Sequence, residues 1–176
     1  MIRFLLLPKW ILGSIHEQRE QHLPHETGGF LIGERRGSHI NVTGLTKQGK
    51  GDVATRNSFD RSCSSHREAI HRVWRHSCGM QSLVGDWHSH PRGTADASSM
   101  DFAAWRTLTR VSKRPMIGVI DAGALPQIYF AGEGNKPFAM LLPVEEEAQD
   151  HYAFVLPPIR SRNALTQIFL PRALMR

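Results

Sequence analysis

Cysteine is scarce in this chain of 176 residues. There are two, Cys63 and Cys78, and neither sits in a CxxC pair. That excludes a disulfide framework and a cysteine-built zinc knuckle, and makes buried free thiols the expectation. Long apolar runs are missing as well. The stretch Phe4 to Leu7 stops at Pro8 and Lys9, and nothing approaches the roughly 18 uninterrupted apolar residues of a membrane span. No small-residue cleavage site follows the apolar stretch, so no secretory signal is expected and the cytoplasm is the default compartment. Repeats and low-complexity tracts are absent. Lys and Arg outnumber Asp and Glu by 22 to 16, for a net charge of +6. The basic residues are scattered, however, with no RRM, zinc-finger or helix-turn-helix signature beside them. Solvated surface charge is the expected role, and nucleic acid is not an expected partner.

What is present is enough for one globular unit, since 40% hydrophobic residues over this length can build a core without staples. Residues 2–7 read as a strand, and Pro8 to Gln21 as a helix with proline in its tolerated first turn. Two strands, 28–34 and 39–46, form a hairpin around Gly37. In Ser64 to Ser77 the apolar residues Ala69, Ile70, Val73 and Trp74 recur at helical spacing, and Gly79 ends the helix. The spacing of His66, His71 and His76 suits no metal on a helix, and they read as surface residues. A strand over 82–88, a helix from about Ser98 to Arg110 and a hairpin of 115–120 with 126–131 follow. The economical architecture is a single-domain mixed-sheet α/β sandwich. The domain is expected to span 1–144, with a last strand within Phe138 to Val144. Residues 145–176 would form a C-terminal extension containing the acidic run Glu145 to Asp150, the break Pro157-Pro158 and a short amphipathic end.

The chemistry concentrates in GDWHSHPRGTADASSMD, Gly85 to Asp101. Side chains alternate faces along a strand, so His88 and His90 project to the same side, about 7 Å apart along the backbone. On a helix, Ser98 and Asp101 share a face. Two imidazoles and one carboxylate with a position left for water make a catalytic zinc site; a structural site would close the fourth position with protein. Singly, each piece has a plainer reading: a strand histidine is usually structural, and Ser98-x-x-Asp101 is the spacing of a helix capping box. Their combination is what points to a metal. Asp96 reads as a loop or cap residue. Trp87, alternating with the histidines, should enter the core, and Trp105 should pack one turn beyond Asp101.

The spacing His88-Ser-His90, seven residues, Ser98, two residues, Asp101 resembles the complete JAMM motif of the JAB/MPN zinc metalloproteases. An upstream glutamate of that family is matched by Glu26 in HETGGFLIG, residues 25–33. The resemblance covers about residues 1–131. It is especially similar to bacterial deconjugases of ubiquitin-like conjugation and anti-phage operons, through Glu26 to Gly29, Asp86 to Pro91 and Trp105. One departure is the loop Arg92 to Ala97, where that group carries several prolines.

The resemblance implies a cytidine-deaminase-like sandwich and one Zn2+ per chain held by His88, His90 and Asp101. It makes Glu26 the base that takes a proton from water and delivers it to the leaving amine, and Ser98 the donor to the oxyanion. It further implies a substrate in the C-terminal tail of a ubiquitin-like protein or its conjugate, with conjugating and activating enzymes of the same operon as companions. Competing expectations are a JAMM peptidase with a non-ubiquitin substrate, a non-catalytic MPN-type binding module, and a DNA-associated protein like RadC. The intact ligand set with Glu26 disfavours the module, and the region before the motif leaves no room for the helix-hairpin-helix of the last.

Overall fold

The computed structural model describes residues 4–132, 139–140, 142–143 and 150–155. In chain order the elements are β1 (Phe4–Pro8), α1 (Lys9–His22), β2 (Gly28–Arg36), β3 (His39–Leu45), β4 (Val53–Ala54), β5 (Phe59–Asp60), α2 (Ser64–His76), β6 (Gln81–Ser89), α3 (Ser99–Ser112), β7 (Met116–Asp121), β8 (Gln127–Ala131), β9 (Ala139–Met140), β10 (Leu142–Pro143) and β11 (His151–Val155). Nine strands form one sheet in the order β10-β11-β1-β3-β2-β6-β7-β8-β9, and β4 pairs with β5 apart from it. The pairs β1–β3 and β6–β7 are parallel and the others antiparallel. The mixed α/β architecture expected from the alternation of strands, hairpins and helices is the one observed.

Both faces of the sheet are covered, which the alternation of β7 makes plain. Ile117 and Val119 join a core with Ile11 and Ile15 of α1, Leu31 of β2 and Trp87 of β6. Met116 and Ile120 join a second core with Trp105 and Phe102 of α3 and Tyr129 of β8. Successive residues of a strand point to opposite faces, so α1 and α3 lie on opposite sides. Trp87 and Trp105 are both fully buried, as their spacing predicts. Gly118, on the α3 side, is required by contact: a Cβ there would lie 2.1 Å from the Trp105 indole.

Register slips twice beside the middle of β2. On its β6 side Leu31 pairs with Gly85 but Ile32 with Leu83, leaving Val84 as an extra residue. On its β3 side Ile32 pairs with Gly44 and Gly33 with Val42, leaving Thr43 extra. These are β-bulges.

Several sequence expectations need correction. His66 is not a surface residue: it is 2% exposed. Its Nδ1 lies 2.7 Å from Thr46 Oγ1 and its Nε2 2.8 Å from Asp52 Oδ2, and its ring stands edge-on to Phe30. A histidine satisfied at both nitrogens fits an interior that would reject an unpaired polar ring. Trp74, read as part of the apolar stripe, is instead half exposed, and His66 is the buried residue of α2. His71 and His76 are exposed as expected. The cysteines are not buried either: Cys63 is partly accessible and Cys78 exposed. Residues 151–155, expected in the extension, supply β11, which pairs antiparallel with β1 along its whole length. Of the last strand expected within Phe138 to Val144, residues 139–140 and 142–143 are extended. Residues 145–149, the Pro157-Pro158 break and the amphipathic end lie outside the described residues. No helix among the described residues is long and apolar enough to cross a membrane.

Candidate metal centre and active site

The site is built where β2, β6 and the start of α3 meet. Backbone pairing sets Gly28 opposite His88. One step toward the N-terminus, Thr27 is locked to Ser89: Ser89 N–H donates to Thr27 O at 2.8 Å, and Thr27 N–H donates to Ser89 Oγ at 3.1 Å. Glu26 follows directly, its N–H donating to Thr55 O at 2.7 Å. Gly28 permits this closeness, for a Cβ there would fall 2.7 Å from Trp87 O and from the Phe59 ring, and Gly29 likewise lets Thr46 O approach to where a Cβ would lie 2.0 Å away.

The three expected ligands converge. His88 Nε2 is 3.2 Å from His90 Nε2 and 3.1 Å from Asp101 Oδ1, and His90 Nε2 is 3.9 Å from Asp101 Oδ2. Donors about 2.0–2.1 Å from a tetrahedral zinc are roughly 3.3 Å from one another, so the residues present fit such an ion. Among the described residues this is the one group of three such donors within 4.8 Å. His90 Nδ1 lies 2.8 Å from Thr94 O. Donating there puts the ring proton on Nδ1 and leaves the Nε2 lone pair facing the cluster, the orienting role a carbonyl often plays behind a metal-bound imidazole.

Ser98 and Asp101 satisfy both readings of their spacing. Ser98 is the N-cap of α3 in a complete capping box. Asp101 Oδ2 accepts from Ser98 N–H and from Ser98 Oγ–H, each at 2.7 Å. Oδ1 is thereby left toward His88. Burial opposes ionisation of Asp101, but hydrogen bonding and charge from His88 and the two Ser98 donors outweigh it and hold the carboxyl well below its ordinary range. Glu26 is 9% exposed. Burial pushes its carboxyl above the ordinary value, and the positive fields of His88 and His90 pull part of the way back. Glu26, His88, His90, Ser98 and Asp101 line one cavity of about 490 Å³.

Sequence reasoning missed the groups that hold this arrangement. Arg61 donates to Trp87 O at 2.8 Å and Gly29 O at 3.1 Å, and pairs with Asp86 Oδ2 at 3.1 Å. Trp105 Nε1–H donates to Asp86 Oδ1 at 2.6 Å. This chain ties the segment before α2 to β6 and α3; Asp86 and Trp105 beside the motif were its sequence signals, and Arg61 had none. Arg19 of α1 donates to the carbonyls of His90 and Pro91 at 3.3 and 3.2 Å. The loop that lacks the family's prolines is pinned in other ways. Ala97 N–H donates to Tyr129 Oη at 2.9 Å, which lies 3.0 Å from Ala95 O, and Asp96 accepts from Thr94 Oγ1–H at 2.7 Å. Asp86→Ala is expected to destabilise the fold by about 3 kcal/mol, because it strips a buried guanidinium of its counter-charge. Asp86→Asn, which keeps an acceptor for Trp105, should cost less. Equal urea midpoints for Asp86→Ala and wild type would contradict this account.

A mixed sheet brings a two-histidine strand against a helix-borne carboxylate, with a buried glutamate alongside, which is the arrangement expected of a JAB fold. The chain belongs to the prokaryotic homologs of the JAB domain, whose family model matches residues 8–148. Among curated relatives, a CD-NTase/cGAS isopeptidase of Escherichia coli is 33% identical over 62% of this chain and 70% of its own length. One of Vibrio cholerae is 36% identical over 48% of this chain and 54% of its own length, so the match spans about half of that relative. A probable metalloprotease of Sinorhizobium fredii is 28% identical over 62% of this chain and 68% of its own. The solution structure of a Desulfitobacterium hafniense protein shares the fold, with a TM-score of 0.53 at 20% identity over 80% of this chain and 89% of that one.

Proposed function

We propose that this chain is a zinc-dependent isopeptidase of the JAMM type that cuts after the C-terminal tail of a ubiquitin-like protein. The observation that carries the reading is the convergence of His88, His90 and Asp101 beside the buried Glu26 in one cavity. The isopeptidase relatives favour an amide joining a tail to a target, and by their likeness the target would be a CD-NTase/cGAS-like enzyme. When bound, zinc supplies Lewis acidity, lowering the pKa of a coordinated water to about 7.

The chain's own residues do the rest. His88 Nε2, His90 Nε2 and Asp101 Oδ1 would hold the ion, with Thr94 O fixing the His90 tautomer. Glu26, in its carboxylate form, accepts a proton from the attacking water on one oxygen and passes it to the departing amine nitrogen. Burial favours that exchange by bringing the carboxyl's proton affinity closer to that of its partners. The Ser98 hydroxyl is given to Asp101 in the resting arrangement. Turning it toward an oxyanion would leave Asp101 still held by the Ser98 N–H, so the hydroxyl can stabilise the tetrahedral intermediate without freeing the carboxylate.

The test is a folded ubiquitin-like protein fused through its tail to a reporter, with the cut mapped by mass spectrometry. Zinc-dependent cleavage after the last small residue of the tail is expected. A short tail peptide should be a poorer substrate, because it lacks the remote binding energy of the folded body. A fusion that stays intact while unrelated peptides are hydrolysed would end the deconjugase reading and leave a metallopeptidase of other specificity.

A further inference from the structure

The walls of the catalytic cavity carry a charge that the chemistry above does not use. Its acidic lining residues are Glu26, Asp86 and Asp101, and each is engaged: Asp86 by Arg61 and Trp105, Asp101 and Glu26 at the metal cluster. Asp101 and Glu26 face the ion site, and Arg61 is paired with Asp86 at 3.1 Å. That leaves Arg56 and Arg92, which also line the cavity. Both are exposed, and neither has an ion pair or hydrogen bond among the described residues.

Their placement relative to the reacting centre is fixed by backbone. Arg56 follows Thr55, whose carbonyl accepts the Glu26 N–H. It stands in a tight turn closed by Thr55 N–H to Ser58 O at 2.9 Å and by the Thr55 and Ser58 hydroxyls at 2.8 Å. Arg92 lies two residues beyond His90, after Pro91, on the segment that Arg19 holds by two carbonyls. One cation is thus built in beside the expected base and the other beside a ligand. The cavity's aromatics are already engaged, Phe59 beneath the Arg61 guanidinium and Trp105 on Asp86. Stacked bases, on which single-stranded nucleic acid binding relies, find no free ring there. Arginine forks suit carboxylates.

We infer that Arg56 and Arg92 form an acidic-residue subsite, selecting peptide substrates that carry Asp or Glu beside the scissile bond. This rests on the isopeptidase reading and narrows its substrate class.

Two fluorescent peptides of equal length, with glutamates or lysines flanking a central Gly-Gly, are titrated against the zinc-loaded protein by anisotropy at low salt. The acidic peptide should bind about tenfold tighter, as two rim charges acting together allow, and added salt should erase the difference. The Arg56→Glu, Arg92→Glu variant should reverse the preference with unchanged thermal melting. Arg72→Glu, Arg75→Glu on the exposed face of α2 should leave it intact. Equal binding of the two peptides overturns the inference. So does a preference that survives reversal at 56 and 92, or one lost equally in the α2 variant, which would assign it to net charge. Competition by a single-stranded oligonucleotide stronger than by the acidic peptide also overturns it. The fusion-cleavage assay run on the same preparation separates the two readings. Acidic preference without fusion cleavage removes the deconjugase and leaves the subsite; cleavage without preference removes the subsite alone.

Discussion

Replacing both histidines, His88→Ala with His90→Ala, is expected to take the protein from about one zinc per chain to none, and hydrolysis with it. The two Nε2 atoms lie 3.2 Å apart and share a single carboxylate, so a variant left with Asp101 alone retains one donor where a catalytic site needs three. Elemental analysis of protein purified in the same buffer reads the result directly. Full occupancy in the double variant would mean that the ion sits elsewhere. Asp101→Asn makes a finer test, because the amide still offers an oxygen to the Ser98 N–H and hydroxyl that cap α3. Zinc affinity should fall while the melting temperature stays close to that of wild type compared without metal. A matching collapse of both would reduce Asp101 to a cap.

Glu26→Gln is expected to do the opposite, keeping zinc and losing turnover by at least about a hundredfold. The amide preserves the volume of a side chain that is 9% exposed, and the backbone that places it, from Thr55 O through Thr27 to Ser89, is untouched. What the amide cannot do is accept and return a proton. Single-turnover measurements on the zinc-loaded variant should therefore show normal substrate binding and a slow chemical step. Turnover near that of wild type would remove Glu26 from the mechanism.

The proposed metal ligands were legible in the sequence because they are local. Strand alternation puts His88 and His90 together, and a helical turn puts Ser98 with Asp101 over a short connection, so periodicity alone brings the pieces near one another. Glu26 is different. It reaches the site through sheet pairing of β2 with β6, and only the family resemblance singled it out. Of the supporting residues, Asp86 and Trp105 were visible through the resemblance, but the partners that use them were not: Arg61, Arg19 and Tyr129 act through contacts between distant segments that no spacing rule encodes. His66 was misread because it was weighed only as a metal ligand with His71 and His76, although it stands three, four and seven residues before Ala69, Ile70 and Val73 on one helix face, where Thr46 and Asp52 satisfy its ring. β11 escaped notice because a short strand is specified mainly by the partner waiting for it, here β1.

The extra residue Val84 resets the phase of β6. Leu83 packs with the α3-side core, yet Val84 and Trp87 both pack with the α1-side core, an arrangement that uninterrupted alternation forbids. The upstream part of the strand and the part bearing His88 are therefore rotated independently about the strand axis. The orientation of the histidines is set by the downstream part of the strand, through the pairing of His88 with Gly28 and of Ser89 with Thr27, and a shift of register upstream of Val84 would leave it unchanged.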